Sequence, residues 1–200
     1  MGAGRTELME ALAGRDDFAH GELLLEGKDV TKLSVQDRIK AGMGLVPEDR
    51  QRDGLIQQMS VGSNLSLASY MSHIKRGFVN RATEKNKIDE AIKNVRVKTS
   101  GRNMPIESLS GGNQQKVVLG RMFLTNPKIL LLDEPTRGID VGTKSEVHKL
   151  LSQKAQEGLA VLMISSELPE VLGMADRVLV MREGHIVREL SRSDANAENI

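Results

Sequence analysis

Asp133 and Glu134, at the end of the apolar run "KILLLDEPT", are the side chains of this chain best placed for hydrolytic chemistry. A carboxylate at the C-terminal edge of a buried strand can hold a hydrated Mg²⁺, and its neighbour can orient or deprotonate water. The plainer reading of the same pair is an acidic turn capping the strand before Pro135. Two glycine-bearing stretches could complete such a site. "MGAGRTELM" sets Gly2, Ala3 and Gly4 before the cation Arg5, the hydroxyl of Thr6 and an apolar helical stretch. A loop of that kind offers unpaired backbone N–H groups and the positive end of a helix dipole to a phosphate. "LSGGN" supplies the Ser110 hydroxyl, a flexible Gly111-Gly112 backbone and Asn113 at the start of a second helix, although Ser and Gly are also ordinary helix caps.

Strands and helices must alternate to bring these stretches together. Nearly continuous apolar runs at 23–25, 43–46, 128–132, 160–165 and 177–181 read as strands, several of them buried on both faces. Helical patterns fall at 6–12, 35–41, 113–124, 144–156 and 168–175. The alternation predicts an α/β layered fold with a partly parallel sheet, and Glu183-Gly184 predicts a terminal hairpin. Between 60 and 108 strand signals nearly vanish. Residues 75–102 there carry nine Lys/Arg against three Asp/Glu, the pattern of a solvated helical insertion or of a surface that meets a partner.

The remaining composition narrows the class. The 200 residues carry a net charge of +1, so bulk charge argues for neither nucleic acid nor membrane. No cysteine is present, which removes disulfides and thiolate metal sites. One Tyr, three Phe and no Trp leave little with which to stack bases. His20, His73, His148 and His185 show no metal-ligand spacing and read as packing or surface residues.

Taken in order, the glycine loop, "LSGGNQQK", "ILLLDEPT", "GIDVG" and "VLMISSELPEV" resemble an ABC-type ATPase nucleotide-binding domain over essentially the whole chain. "PEDRQRDGL" and "DEPTRGIDVG" are similar to the second, C-terminal domain of bacterial sugar-import ATPases of the ribose, galactose, arabinose and xylose type. The resemblance implies a P-loop NTPase-like three-layer α/β fold with a largely parallel core sheet and a helical subdomain. It implies a single domain over 1–200, cut at both ends, with a helical insertion at 60–108. Signature, Walker B, D-loop and switch region would follow at 109–200. It further implies ATP and Mg²⁺ as cofactors, a second ABC ATPase domain and a membrane permease as partners, no nucleic acid, and a peripheral position on the cytoplasmic face of the inner membrane.

Residue by residue, the resemblance places phosphate on Gly2, Ala3, Gly4, Arg5, Thr6 and Glu7, and Mg²⁺ on Thr6 and Asp133. It makes Glu134 the catalytic carboxylate. Ser110, Gly111, Gly112, Asn113 and Asp140 would act on ATP held by the partner domain. Three positions depart from the family pattern. Arg5 stands for the phosphate-loop lysine, Glu48 for the Q-loop glutamine and Ser166 for the switch histidine. A guanidinium is not an isostere of an ammonium, and a serine neither reaches as far as a histidine nor titrates near neutrality. The expectation is an asymmetric pair, in which this domain completes a competent partner site and turns over little itself. Two alternatives stand beside it: a non-catalytic regulatory half of a tandem ATPase, and an ABC-class ATPase outside transport.

Overall fold

The computed structural model describes residues 2–16, 20–70, 74–75, 78–79 and 81–200; Met1 and His73 lie outside them. Its centre is a parallel sheet in the order β3 (Met43–Val46), β6 (Ile129–Asp133), β7 (Ala160–Ile164). Leu45 pairs with Leu131, and Leu131 with Leu162. Strand β6 is central, and Leu130, Leu131 and Leu132 are fully buried. Successive side chains of a strand face opposite ways, so this one apolar run feeds two cores. Leu131 packs with Met9, Ala13, Val30 and Met43 on the side of α1 (Arg5–Ala13). Leu130 and Leu132 pack with Val117, Leu119 and Val147 from α5 (Gly111–Phe123) and α6 (Val141–Gln156). Helix, sheet and helix form the three layers expected from the sequence.

The helix ends follow their local chemistry. Helix α2 (Val35–Ala41) starts where Ser34 accepts from the Asp37 amide and stops at Gly42, whose φ of 109° suits glycine. Arg38 on that helix is 3% exposed and donates to the carbonyls of Ala11, Leu12, Thr31 and Leu33, tying α2 to the C-terminal end of α1. After β3, residues Arg50–Gly54 form a π-type turn capped by Asp49, which the sequence pattern does not reveal.

Residues 60–108 hold α3 (Val61–Ser66), α4 (Arg81–Asn94) and a 3₁₀ turn at Ile106–Ser108. They also hold two short antiparallel strands, β4 (Ile74–Lys75) and β5 (Phe78–Val79), which is more strand than the sequence led one to expect. Another pair, β1 (Leu24–Leu25) and β2 (Lys28–Asp29), precedes α2. Helix α7 (Leu168–Met174) leads into the hairpin of β8 (Arg177–Arg182) and β9 (His185–Ser191). Its turn is Glu183-Gly184, with φ of 51° and 79°, the left-handed pair a tight hairpin turn needs.

Candidate functional site

Gly2 and Gly4 have φ of 88° and 83°, so the loop reaches α1 in a conformation that disfavours side chains. The loop is anchored by a hydrogen bond from the Gly184 amide to the Ala3 carbonyl, and a Cβ on Gly4 would fall 3.0 Å from Gly184 Cα. Helix α1 has no side-chain cap, and its main-chain ladder begins with the Leu8 amide on the Gly4 carbonyl. Its first-turn amides are therefore left for an anion. Arg5 and Glu7 are exposed beside them. Arg5 Nη1 donates to the Ser165 carbonyl at 3.3 Å.

Thr6 and Asp133 meet beneath the loop. Burial pushes the Asp133 carboxyl above its ordinary pKa, with the Glu134 and Glu10 charges adding to the rise; the Thr6 hydrogen bond and the Arg5 charge oppose it. Asp133 Oδ1 is buried without a hydrogen-bond partner. A buried, unsatisfied carboxylate oxygen next to a hydroxyl suits a hard cation. No group of three or more His, Cys, Asp or Glu residues among the described residues could hold a metal alone. Thr6 and Asp133 thus fit a Mg²⁺ that also takes phosphate oxygens and water, the usual arrangement for that ion. Both line a cavity of about 580 Å³, together with Glu48, Arg50, Arg137 and Gly138.

Glu134 follows at φ 46°, a left-handed conformation that costs a non-glycine residue on the order of 1 kcal/mol. Its amide donates to the Ile164 carbonyl at 3.0 Å, and its Oε2 accepts from Ser166 Oγ at 3.1 Å. Glu48 makes an ion pair with Arg137, while Arg50 donates to the Arg137 and Gly138 carbonyls at 2.8 and 3.4 Å. All three departing positions therefore have partners inside the chain.

Of the predicted site residues only Thr6, Glu48 and Asp133 line the cavity; Ser110, Gly111, Gly112, Asn113 and Asp140 are not among its walls, although Gly111 adjoins Arg50 and Gly138, which are. Ser110 occupies the cap position of α5, yet its hydroxyl makes no capping bond; it accepts from Asn113 Nδ2 at 2.9 Å. Asn113 Oδ1 in turn accepts from the Lys98 amide at 2.8 Å. Close approach requires glycine at 112, where a Cβ would lie 2.5 Å from Thr143 Cγ2 and 2.9 Å from its Cβ; a Cβ on Gly111 would meet only the movable end of Arg50, 2.6 Å from Nη2. Asp140 caps α6 through the Thr143 amide at 2.9 Å and the Thr143 hydroxyl at 2.7 Å, and those bonds hold its pKa below the usual range. Sequence reasoning passed over Arg50, Arg137, Thr136, Ser165 and Glu170. Each sits inside a motif already quoted, but no spacing marks its partner.

The fold and the glycine-loop site define an ATP-binding cassette, and a family model described as "ABC transporter" matches residues 1–137. The chain belongs to the ABC transporter family. It is 51% identical over 201 aligned residues to the ribose import ATP-binding protein RbsA 1 of Streptomyces coelicolor, and 50% identical over 201 to the xylose import ATP-binding protein XylG of Photobacterium profundum. Each match covers all of this chain and 40% of the relative, so the chain spans less than half the length of these curated proteins. Among solved structures, the cassette MJ0796, seen as a dimer bound to ADP and Pi, superposes with a TM-score of 0.82 at 22% identity. That match covers 95% of this chain and 81% of the other.

Proposed function

We propose that the chain is one nucleotide-binding domain of a carbohydrate importer, acting beside a second ATPase domain and a membrane permease on the cytoplasmic face of the inner membrane. Its relatives' names and the sugar-importer wording of its motifs support that reading, with ribose and xylose as the substrate type. The observation that carries ATP binding is the uncapped α1 N-terminus set beside the unsatisfied Asp133 oxygen.

The loop amides and Arg5 would bind the phosphates, and Thr6 and Asp133 would hold Mg²⁺, which supplies charge neutralisation there. Glu134 would orient the attacking water, with its carboxylate held by Ser166. Engagement of Arg5 by the Ser165 carbonyl and of Glu48 by Arg137 supports slow turnover at this site. Ser110, Gly111, Gly112 and Asn113 would instead close over ATP on the partner domain, since the Ser110 hydroxyl is not consumed in capping its own helix. The segment from Glu48 through the 60–108 insertion would meet the permease.

The test is Mg-ATP binding and steady-state hydrolysis over a range of chain concentrations, alongside the Arg5→Lys/Ser166→His double variant. Binding with negligible turnover, raised about tenfold or more by the double variant, is expected. Fast wild-type turnover that rises with concentration and vanishes in Glu134→Gln would overturn the asymmetric reading. A regulatory, non-catalytic role has the same internal pairing in its favour, and a double variant that gains no turnover would select it.

A further inference from the structure

Behind the exposed Glu134–Ser166 contact lies a buried carboxylate to which the mechanism above gives no role. Glu170, on α7, is 6% exposed. Its Oε1 accepts from Thr136 Oγ1 at 2.9 Å and from His148 Nε2 at 2.6 Å, and its Oε2 accepts from Ser165 Oγ. Thr136 and Ser165 are themselves buried. One side chain thus fastens the turn after β6, helix α6 and the end of β7 to α7.

The position of those donors gives the hub its meaning. Thr136 stands two residues after Glu134, and Ser165 immediately precedes Ser166. Ser165 is held twice, by Glu170 through its hydroxyl and by Arg5 through its carbonyl. The Glu134–Ser166 bond is a single exposed contact that gains little in water on its own. It persists if both turns are fixed from behind by a satisfied buried network. Only a carboxylate offers acceptors alone to three donors at once.

We infer that Glu170 is a positioning residue that, through Ser165 and Thr136, sets Ser166 and Glu134 against the terminal phosphate of a bound nucleotide triphosphate. The inference rests on the nucleotide-site reading above and deepens it: Glu170 tunes the preference for ATP over ADP rather than nucleotide binding as such. On that reading the loop amides would meet phosphates that both nucleotides carry, whereas Glu134, held by Ser166, would face the water and the phosphate that ADP lacks.

The experiment measures Kd for Mg-ATP and Mg-ADP on the full 200-residue chain by titration calorimetry, with a thermal melt of every variant. Glu170→Gln keeps the volume of the side chain, and Ser165→Ala and Thr136→Val each cut one spoke, so that a variant that fails to fold does not decide the matter. Expected is a loss of about fivefold in ATP affinity with ADP affinity unchanged, equivalent to one net hydrogen bond. Ser166→Ala should do the same, and the Glu170→Gln/Ser166→Ala double variant should lose no more than Ser166→Ala alone. Equal weakening of both nucleotides, additive losses in the double variant, or a wild type that binds ATP and ADP alike would each overturn the inference while leaving the nucleotide site standing. A wild type that binds neither nucleotide would remove the functional reading and this inference with it.

Discussion

Helix α5 and helix α1 are held in place by opposite means. From Gln114 to Met122 every residue of α5 is buried, including the polar ones. Arg121 donates to the Asn64 carbonyl at 2.7 Å and to Asn64 Oδ1 at 2.8 Å, and burial pushes its pKa down to about 10, so it stays charged at neutral pH. Lys116 is equally buried and pairs with Glu146 while reaching the Arg96 carbonyl at 3.2 Å. Helix α1 buries only Met9 and Ala13, and its leading cation rests on one part-buried contact. A helix enclosed along most of its length holds its shape only if its buried polar groups are satisfied. A site that must receive an anion has to keep its donors unsatisfied until the anion arrives.

That contrast can be broken by substitution. The largest effect should come from Asn64→Ala, which strips the buried Arg121 guanidinium of its side-chain acceptor at 2.8 Å and leaves the Ile56 amide without its 2.9 Å partner. We expect a loss of about 3 kcal/mol, read by urea denaturation. Next comes Gly120→Ala. Alanine favours a helix, but this Cβ would lie 2.8 Å from Leu65 Cδ2 and 3.3 Å from Val95, both in the packed core. Overpacking of that kind should destabilise by ~2 kcal/mol. Arg5→Ala, by contrast, should change stability by no more than about 0.5 kcal/mol while weakening nucleotide binding. If Arg5→Ala unfolds the protein as readily as Asn64→Ala, the contrast is wrong.

The smallest effect is a pH dependence. Burial would raise the Glu170 pKa, but hydrogen bonds from Ser165, His148 and Thr136 outweigh it and hold the group below its ordinary 4.5. A depressed carboxyl contributes stability above pH 4.5 that is lost as pH falls through the folded value. Glu170→Gln should therefore flatten the acid side of the stability profile and leave its neutral side parallel to wild type. An unchanged acid limb would show that the network gives Glu170 no preference for its charged form. Asp133 has the opposite sign, since its raised pKa favours the neutral acid. Mg²⁺ binding at that carboxylate should weaken as the solution is acidified.

Much of the scaffold was legible locally. Strand β3 and helix α2 fall at the residues expected for them, 43–46 and 35–41, because an unbroken apolar run and a Ser34-to-Gly42 cap pair leave few alternatives. Asp133 closes β6 as its place after "ILLL" suggests, and the hairpin turns at Glu183-Gly184. The π-type turn at Arg50–Gly54 and the β4–β5 pair had no such signal. The site was legible as a set of residue types rather than as a set of partners. Sequence named Glu48, Arg5 and Ser166 as departures, but nothing local tells that they meet Arg137, Ser165 and Glu134.

The sequence by itself located the strands β3, β6, β7 and β8 and the helices α1, α2, α5, α6 and α7, with ends that differ by up to three residues from those observed, and showed which carboxylates stand at a strand end. Those are near-neighbour properties: periodicity, caps and turns act within a few residues. Only the tertiary structure decided that the Ser110 hydroxyl turns to Asn113 instead of its helix, that Arg121 needs Asn64, and that Glu170 gathers Thr136, His148 and Ser165. Those partners lie 5 to 57 residues apart along the chain, apart from Ser110 and Asn113. A hydrogen bond of 2 to 3 Å reach can join them only after the sheet and its helices have brought their elements together.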